Sequence, residues 1–488
     1  MPERPCTLVI FGASGDLTRR KLVPALLSLE RKRRLPDGLR VVGFADTDWD
    51  DDGFRSAMRD AVSEHAGVEA AEEAWQTLSG RLSYIRGDFM KLDDCRCLAE
   101  ELEKIEGERV DRVYYLATSP DFYTDIVEHI AATGMTSEEE GSRRVVVEKP
   151  FGRDLESARR LNSALHATVS EDQIYRMDHY LGKETVQNIL IFRFANAIFE
   201  PVWNRNYISS VQVTVAETLG VGHRAAYYDS AGVFRDMFQN HILQLVALVA
   251  MEPPASFDAD AIRNEKVKVF SALRRLEQGE AARHSVAARY AGYRAEEDVP
   301  PDSTTPTFAA LRTFVDNWRW QGVPFYLRSG KKLARKTSQI LIEFRCPPHV
   351  MFPLPPDHVP THNILALCIQ PDEGIHLRFE AKVPDTPADM RSVDMEFHYS
   401  DSFGESAIPE AYERLLLDAL TGDPSLFTRA DGVELEWSFV DPLIRYWEGA
   451  GRSRIGEYEG GTWGPRESDE LVAEDRRSWL RGCAATHD

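Results

Sequence analysis

Features that mark membrane and secreted proteins are scarce in this sequence. Its two notable apolar runs, Cys6–Phe11 and Leu245–Met251, are far shorter than the ~20 residues of a membrane-spanning helix. The first run is also too short for the apolar part of a signal peptide. The six cysteines include no Cys-x-x-Cys pair, so neither a zinc ribbon nor a disulfide framework fits and reduced thiols are expected. We therefore expect a cytoplasmic protein without a membrane partner.

Positive charge is also in short supply. Lys and Arg total 58 against 79 Asp and Glu, a net charge of −21, and an acidic surface repels phosphate backbones. We therefore predict no nucleic-acid partner. Hydrophobic residues (43%) and charged residues (28%) occur at ordinary globular levels, which argues against disorder. With 488 residues, about three times a typical ~150-residue domain, the chain can form one large domain or two to three smaller ones.

Short apolar runs alternate with helical patterns over the first 150 residues. Helices are predicted at Leu17–Leu29 and Phe54–Ala66, where apolar residues recur with helical spacing. Continuously apolar strands in such an alternation predict a parallel sheet covered on both faces. The predicted strands are Thr7–Phe11, Arg40–Ala45, Leu82–Ile85, Arg109–Ala117 and Arg144–Val147.

The pattern changes after about residue 180. Val211, Val213 and Val215 alternate with polar residues, which predicts an antiparallel sheet with one covered face. Phe234–Met251 has the pattern of one long apolar helix. Further strand candidates are Ile340–Phe344, Ile364–Ile369 and Ile375–Lys382.

A glycine-containing loop connects the first strand to the first helix. Glycines at such a turn let backbone N–H groups approach a pyrophosphate, and the helix N-terminus adds partial positive charge. The loop departs from Gly-x-Gly-x-x-Gly, and two glycines alone are more typical of a tight turn. Its position after the first strand of a βαβ pattern favours a dinucleotide site. The residues concerned are Gly12, Ala13, Ser14, Gly15, Asp16 and Leu17.

Asp46, at the end of the second strand, bears on which dinucleotide binds. A carboxylate there can accept hydrogen bonds from the ribose hydroxyls of NAD, whereas the 2′-phosphate of NADP favours arginine. Two like charges ~4 Å apart cost roughly 4 kcal/mol at an effective dielectric of ~20, less where solvent screens them. We therefore predict NAD or NADP as the cofactor, with a preference for NAD. The alternative is that Asp46 only turns the chain.

Motifs along essentially the whole chain resemble the glucose-6-phosphate dehydrogenase family. The resemblance implies an α/β Rossmann-like coenzyme domain and a larger α+β domain with a mostly antiparallel sheet, assembled as a homodimer or homotetramer. We assign residues 1–178 to the first domain and 179–488 to the second, as the substrate-binding and oligomerisation domain. The motifs are Gly12–Leu17 with Lys21, Glu148–Gly152, Arg176–Glu184, Tyr228–His241, Tyr326–Lys332 and Pro409–Leu415.

The most specific of these motifs contains Asp178, His179, Tyr180 and Lys183. If a helix begins near Tyr180, His179 and Lys183 lie on one face, and with Tyr180 they offer donors to one phosphate. The alternative is a helix cap by Asp178 with a solvent-facing Lys183. The resemblance implies the phosphate site.

His241 lies in the apolar helical run, where a lone histidine is usually a core residue. The resemblance instead implies that His241 is the general base and that Asp178 orients it. Oxidation of a hemiacetal requires removal of the hydroxyl proton, and imidazole has a suitable pKa for this step.

The resemblance implies further site residues. Lys149 is placed between coenzyme and sugar, before a Lys–Pro bond near a bend. Lys336 is implied as a substrate-binding loop lysine, and Lys332 and Arg335 are nearby alternatives for this role. The remaining substrate residues are Lys21, Glu217, Asp236 and Lys331, and the remaining coenzyme residues are Asp88 and Phe89.

The activity implied is oxidation of D-glucose 6-phosphate at C1 to 6-phosphoglucono-δ-lactone by NAD(P)⁺, the first step of the oxidative pentose phosphate pathway. The sequence has no His-Glu-x-x-His motif, and a reaction in which His241 takes the proton needs no Lewis acid, so we predict no metal. Two alternatives remain. One is a dehydrogenase acting on another sugar phosphate, and the other is a catalytically silent homologue that acts as a regulatory partner.

Overall fold

The computed structural model describes residues 5–66, 72–107, 109–349, 351, 361–386, 389–404, 408–480 and 482. The chain divides into two compact units, each discontinuous in sequence. Unit 1 comprises Met1–Lys183, Ser256–Arg263 and Pro409–Glu434, and unit 2 comprises Glu184–Ala255, Asn264–Ile408 and Leu435–Asp488.

The strands, in chain order, are β1 (Cys6–Phe11), β2 (Arg40–Ala45), β3 (Leu82–Arg86), β4 (Asp111–Leu116), β5 (Arg143–Glu148), β6 (Ile174–Met177), β7 (Ile208–Ala216), β8 (Ser285–Tyr290), β9 (Phe308–Phe314), β10 (Pro324–Gly330), β11 (Thr337–Phe344), β12 (Ile364–Gln370), β13 (Gly374–Lys382), β14 (Met390–His398), β15 (Phe427–Thr428) and β16 (Gly456–Tyr458).

The α-helices are α1 (Val23–Arg31), α2 (Asp51–Ala66), α3 (Glu72–Ser79), α4 (Leu92–Ile105), α5 (Tyr123–Ala132), α6 (Leu155–His166), α7 (Glu184–Phe194), α8 (Ala225–Val233), α9 (Leu243–Ala250), α10 (Ala259–Ala272), α11 (Gln278–His284), α12 (Tyr399–Phe403), α13 (Ala411–Thr421), α14 (Ala430–Glu448) and α15 (Arg466–Ala473). Among the described residues, no helix is both long enough and apolar enough to cross a membrane.

Unit 1 is built on a seven-stranded sheet in the order β15-β6-β5-β4-β1-β2-β3. All pairs are parallel except β15 with β6. Every residue of β1 and β4 is buried, as expected for strands covered on both faces. The strand order reverses between β1 and β4, and this is the point where dinucleotides bind in open α/β sheets. The predicted Rossmann-like domain is confirmed.

The core of unit 1 includes residues from a distant part of the chain. Leu415 and Leu416 on α13 and Phe427 on β15 belong to the same buried cluster as Leu22 and Leu26. The segment Pro409–Glu434 therefore completes the first unit, although more than 200 residues of unit 2 precede it in sequence.

Unit 2 is built on a nine-stranded sheet in the order β14-β13-β12-β11-β7-β10-β9-β8-β16. Only β7 with β10 and β8 with β16 pair in parallel, which confirms a mostly antiparallel sheet. The expectation of one solvent-facing side is wrong for β7, whose residues are all buried. The Gln212 side chain donates to the Ser478 carbonyl at 2.9 Å and accepts from the Leu480 N–H at 2.8 Å, so alternate polar residues here satisfy internal hydrogen bonds.

Two local expectations in unit 2 need correction. The predicted apolar helix is a π-helix over Phe234–Ile242 that continues as α9 over Leu243–Ala250. The expectation of reduced thiols fails at Cys368 on β12, which is disulfide-bonded.

Candidate active site

The glycine loop of unit 1 follows β1 at the point where the strand order reverses. Gly12 has a φ of 77°, and a Cβ there would lie 2.7 Å from the Ala117 carbonyl oxygen at the end of β4. The Gly12 N–H donates to the Phe44 carbonyl at 2.9 Å, and the Gly15 N–H donates to the Gly12 carbonyl at 2.9 Å. Only glycine fits this conformation and this close approach. The loop therefore fits the pyrophosphate of a dinucleotide.

The helix after this loop begins as a π-helix over Thr18–Leu22 and continues as α1. Thr18, where a third glycine could have stood, is buried, and its hydroxyl lies 3.5 Å from the Gly12 carbonyl oxygen. Asp16 is exposed on the first turn. The Thr18 side chain therefore packs against the loop and leaves no space for a ligand at this position.

Asp46 is exposed where β2 ends. The backbone beside it is held by Tyr84, whose hydroxyl contacts the Ala45 and Thr47 carbonyl oxygens, both at 2.9 Å. Arg86, at the end of the neighbouring β3, is paired with Asp48 at 2.6 Å. The arginine that ends β3 is thus already paired with an acidic side chain.

Asp88 and Phe89 follow β3. The Asp88 N–H donates to the Asp94 carboxylate at 2.8 Å. The Phe89 ring packs against Phe122 at a centroid distance of 5.6 Å. These contacts place both residues at the carboxyl ends of the strands, on the edge of the sheet that carries the glycine loop.

The motif at Asp178–Lys183 forms a turn, and α7 begins only at Glu184. The expectation that a helix begins near Tyr180 and places His179 and Lys183 on one helix face is therefore wrong. The Asp178 carboxylate accepts from the Tyr180 N–H at 2.9 Å, and the Lys183 N–H donates to the Tyr180 carbonyl at 3.1 Å. Gly182 lets the turn approach α13, because a Cβ there would lie 2.5 Å from the Ala411 carbonyl oxygen.

The turn nevertheless brings the expected phosphate-binding residues together around Tyr180. The His179 ring meets the Tyr180 ring edge to face at 5.2 Å, and the Lys183 ammonium lies 5.5 Å from the centre of the Tyr180 ring. Tyr180 itself is buried, so it holds the His179 and Lys183 side chains in place. Donors of this kind suit a phosphate.

Tyr412 on α13 is a residue of this cluster that the sequence reasoning did not single out. The His179 ring stacks on it at 6.4 Å with an interplanar angle of 13°, and the Lys21 ammonium lies 5.8 Å from its ring centre. Lys21 also pairs with Glu410 at 2.6 Å. The only sequence signal was that Tyr412 lies in the family-like segment Pro409–Leu415.

Glu148 is a second residue that the sequence reasoning missed. Burial raises the pKa of Glu148, and hydrogen bonds from Tyr115 (2.6 Å) and Tyr412 lower that pKa only in part. The charges of Lys149 and Asp178 also act on this pKa, in opposite directions. Lys149 is joined to Pro150 by a cis peptide bond. Lys149, Asp178 and Tyr412 of unit 1 thus all act on one partly buried carboxyl group.

Three predicted residues of unit 2 form a charged cluster. The buried Lys331 ammonium forms an ion pair with Glu217 and lies 4.0 Å from the Asp236 carboxylate. It also lies 5.1 Å from the centre of the Tyr228 ring. Burial, together with the neighbouring Asp236 charge, raises the pKa of Tyr228 well above its usual value. A lysine between two carboxylates offers both donors and acceptors to hydroxyl groups.

His241 lies at the end of the π-helix and is 1% exposed. In an α-helix, residues five apart point about 140° away from each other. The i→i+5 ring of a π-helix turns them toward one face, so His241 and Asp236 are closer in direction than an α-helix allows. Their neighbours Gln239 and Asn240 are also buried, which is unusual for a purely apolar core helix.

Lys336, a predicted substrate-binding residue of unit 2, does not belong to the Glu217–Lys331–Asp236 cluster. Its side chain is exposed, and among the described residues it makes no hydrogen bond or ion pair. Its rival Lys332 pairs with Glu296 at 2.9 Å. Lys331 is thus the lysine of this loop that the structure brings to Glu217 and Asp236.

Family models match both parts of the chain. The model described as glucose-6-phosphate dehydrogenase, NAD binding domain, matches residues 9–188. The model described as glucose-6-phosphate dehydrogenase, C-terminal domain, matches residues 190–480.

Individual relatives are similar over nearly their full length. Glucose-6-phosphate 1-dehydrogenase 2 of Mycobacterium tuberculosis is 44% identical, over 98% of this chain and 95% of the relative. Glucose-6-phosphate 1-dehydrogenase of Aggregatibacter actinomycetemcomitans is 43% identical, over 99% and 98%.

Solved structures agree with the sequence matches. The crystal structure of glucose-6-phosphate 1-dehydrogenase from Mycobacterium avium superposes with a TM-score of 0.85 and 38% identity, over 98% of this chain and 99% of the other. A glucose-6-phosphate dehydrogenase in complex with its substrate glucose-6-phosphate gives a TM-score of 0.89 and 34% identity at the same coverage.

Proposed function

The chain belongs to the glucose-6-phosphate dehydrogenase family, and from that premise we propose that it oxidises D-glucose 6-phosphate at C1. The product is 6-phosphoglucono-δ-lactone, and the reaction is the first step of the oxidative pentose phosphate pathway. The observation that carries the proposal is the Glu217–Lys331–Asp236 cluster of unit 2, where a buried lysine faces two carboxylates. Such a cluster suits sugar hydroxyl groups, which both donate and accept hydrogen bonds.

The phosphate of the substrate is proposed to bind the turn of unit 1. His179, Tyr180 and Lys183 supply donors there, and Tyr412 supports His179 from the other side. Charge-assisted hydrogen bonds to phosphate are stronger than neutral ones. Lys21, Lys149 and Lys336 are proposed to contact the sugar.

The chemical step needs a group that takes the C1 hydroxyl proton while hydride leaves C1. We assign that step to the His241 imidazole, because its ordinary pKa lies near neutrality. Asp178 is proposed to fix the imidazole tautomer and to stabilise the imidazolium that forms. The bound nicotinamide ring supplies the hydride acceptor.

The coenzyme is proposed to bind the glycine loop at the β1–β4 switch, with Asp88, Phe89 and Lys149 at the same strand ends. We propose a preference for NAD over NADP, because Asp46 is acidic and Arg86 is paired with Asp48. We further propose a cytoplasmic homodimer or homotetramer. Exposed apolar side chains on and after the edge strand β14, Met395 and Phe403, support assembly through this sheet.

A coupled comparison of substrates and coenzymes tests the function. Purified protein is mixed with glucose 6-phosphate and NAD⁺ or NADP⁺, and the reduced nicotinamide is followed by its absorbance. We expect turnover with glucose 6-phosphate. Turnover only with a different sugar phosphate would support the first alternative, and no turnover with any sugar phosphate would support a silent regulatory homologue.

Replacement of Lys183 by alanine should chiefly raise the KM for glucose 6-phosphate. A phosphate contact is made equally in the ground state and the transition state, so its loss changes binding more than kcat. Hydrogen bonds to charged groups contribute about 1.5–3 kcal/mol, so we expect KM to rise roughly 10- to 100-fold. Steady-state kinetics measure both constants.

The matched control is Lys104→Ala, which removes a lysine that is 63% exposed on α4 of the same unit. Its KM should remain within about twofold of the parent value, since surface ion pairs contribute little. An unchanged KM in Lys183→Ala would show that the phosphate binds elsewhere.

A further inference from the structure

The turn between β12 and β13 and the end of β14 carry a group of metal-ligating side chains that the proposed function does not use. One donor atom from each of Asp372, His376 and His398 lies within 4.8 Å of the other two. All three belong to unit 2. Imidazole with carboxylate is a donor set that zinc and neighbouring transition metals prefer, whereas calcium and magnesium prefer oxygen alone.

Strand register explains why these residues meet. His376 on β13 pairs with Glu396 on β14, and His398 pairs with Gly374. Residues two apart on a strand share a face, so His398 and Glu396 lie on the same face as His376. The two imidazole rings are in contact, with centroids 4.9 Å apart.

Gly374 leaves space beside His398. A Cβ at Gly374 would lie 3.3 Å from His398 Nδ1 and 2.2 Å from the Phe397 carbonyl oxygen. Asp372, in the short turn before Gly374, approaches the same nitrogen, and its carboxylate lies 3.0 Å from His398 Nδ1. A side chain at position 374 would crowd the His398 ring.

Glu396 lies beside this group. Its carboxylate lies 3.5 Å from His398 Nε2 and 3.9 Å from His376 Nδ1, whereas Asp372 approaches the other ring nitrogen of His398. Two ligands of a tetrahedral zinc at ~2.1 Å from the metal are about 3.4 Å apart. The donor atoms of Asp372, His376 and His398 lie within 4.8 Å of one another, so small side-chain movements would bring them to that spacing.

A buried polar atom without a partner points to a missing ligand. His376 is 5% exposed, and its Nε2 has no hydrogen-bond partner among the described residues. A buried polar nitrogen left unpaired costs about 1–3 kcal/mol.

The local charge also favours a divalent cation. The charged groups that act on His376 are Glu396, His398, Asp372 and Asp394. Asp394 is already neutralised, because Arg378 pairs with it at 2.9 Å. Asp372 and Glu396 have only the two imidazoles as ionic partners within the described ranges, so two negative charges remain for a cation to compensate.

We propose that Asp372, His376 and His398 form a Zn²⁺ site that ties the turn after β12 to the end of β14. Two imidazoles and a carboxylate are donors that zinc prefers, and Glu396 adds a negative charge beside them. The prediction of no metal from sequence concerned motif spacing and the oxidation step, and these donors are separated by strands that only the fold brings together.

Zinc titration of the full-length protein tests the proposal. The protein is first treated with a chelator, and Zn²⁺ alone is then added in competition with a chromogenic chelator. We expect the parent protein to bind one more equivalent per chain than the double variant His376→Gln/His398→Gln. The control His166→Gln removes a histidine that pairs with Glu171 at 2.6 Å, far from β13 in the chain, and should bind as the parent does.

Two further measurements guard against misfolding of the double variant. Asp372→Asn keeps both imidazoles and should weaken zinc affinity about 10- to 100-fold. Zn²⁺ should raise the Tm of the parent and of His166→Gln but not that of the double variant, since a ligand stabilises only the state that binds it. Equal zinc stoichiometry and affinity in parent, Asp372→Asn and double variant would overturn the site.

Discussion

Replacement of His241 by asparagine is expected to lower kcat by about 10²- to 10⁴-fold while the KM for glucose 6-phosphate changes little. A positioned general base contributes a factor of this size. Asparagine approximates the volume and polarity of imidazole but cannot accept a proton near neutral pH. Because the loss falls on the transition state, kcat and kcat/KM should decline together. Steady-state and single-turnover kinetics measure the change.

The control for this variant is His284→Asn in the same unit. His284 is a partly buried histidine whose pKa is lowered by burial and by Arg312, and it lies next to Arg312 at 3.1 Å. Its kcat should stay within about threefold of the parent value. A His241→Asn enzyme with a parent-like kcat and an unchanged Tm would refute the assignment of the base.

The proposed partnership of His241 with Asp178 can be tested by a double-mutant cycle. If the carboxylate acts only through the imidazole, Asp178→Asn should cost little more once His241 has been replaced. Additive losses in kcat would instead show that Asp178 has a separate role, for which its hydrogen bond to the Tyr180 N–H is the structural candidate.

Replacement of Asp46 by arginine should reverse the coenzyme preference. The parent protein is expected to have a kcat/KM for NAD⁺ at least tenfold above that for NADP⁺, since a 2′-phosphate would meet a carboxylate at the end of β2. Arginine removes the repulsion and adds a bidentate phosphate partner. The ratio of kcat/KM values should therefore shift toward NADP⁺ by about 100-fold or more. Solvent screening keeps the effect below the unscreened Coulomb figure.

The control for the coenzyme experiment is Asp60→Arg, the same charge change at an exposed position of α2. It tests whether the altered net charge alone attracts NADP⁺, and its coenzyme ratio should equal that of the parent. A tenfold preference of the parent for NADP⁺ would contradict the interpretation of Asp46. An unchanged ratio in Asp46→Arg would exclude a role for this position.

Strands of unit 1 could be predicted closely from local pattern. The second strand was expected at Arg40–Ala45 and has those bounds, and the first differs by one residue. Both are continuous apolar runs that end at turn residues, so burial on two faces alone determines their length. In contrast, apolar and polar residues alternate along β7 although all of them are buried. Its polar side chains form hydrogen bonds to other protein groups, and a local sequence pattern cannot distinguish this from exposure to water.

The candidate site depended more on long-range geometry. The residue types at Glu217, Asp236 and Lys331 were expected, but their ion pairs follow from the positions of a strand end, a π-helix and a loop. Periodicity did not distinguish the π-helix from an α-helix, because the difference is one residue per hydrogen-bonded ring. Tyr412 was missed for a different reason, since it meets His179 of the same unit from more than 200 residues away in the chain.

The distribution of unit 1 along the chain has a consequence for biosynthesis. A ribosome releases residues 1–183 first, but the helix and strand from 409–434 that complete the same core emerge only after more than 200 residues of unit 2 have been made. Unit 1 therefore cannot follow the usual order, in which one domain matures before the next is translated. Until α13 has been translated, Leu22 and Leu26 lack their neighbours on that helix, and a nascent chain stalled before residue 409 should need chaperone protection.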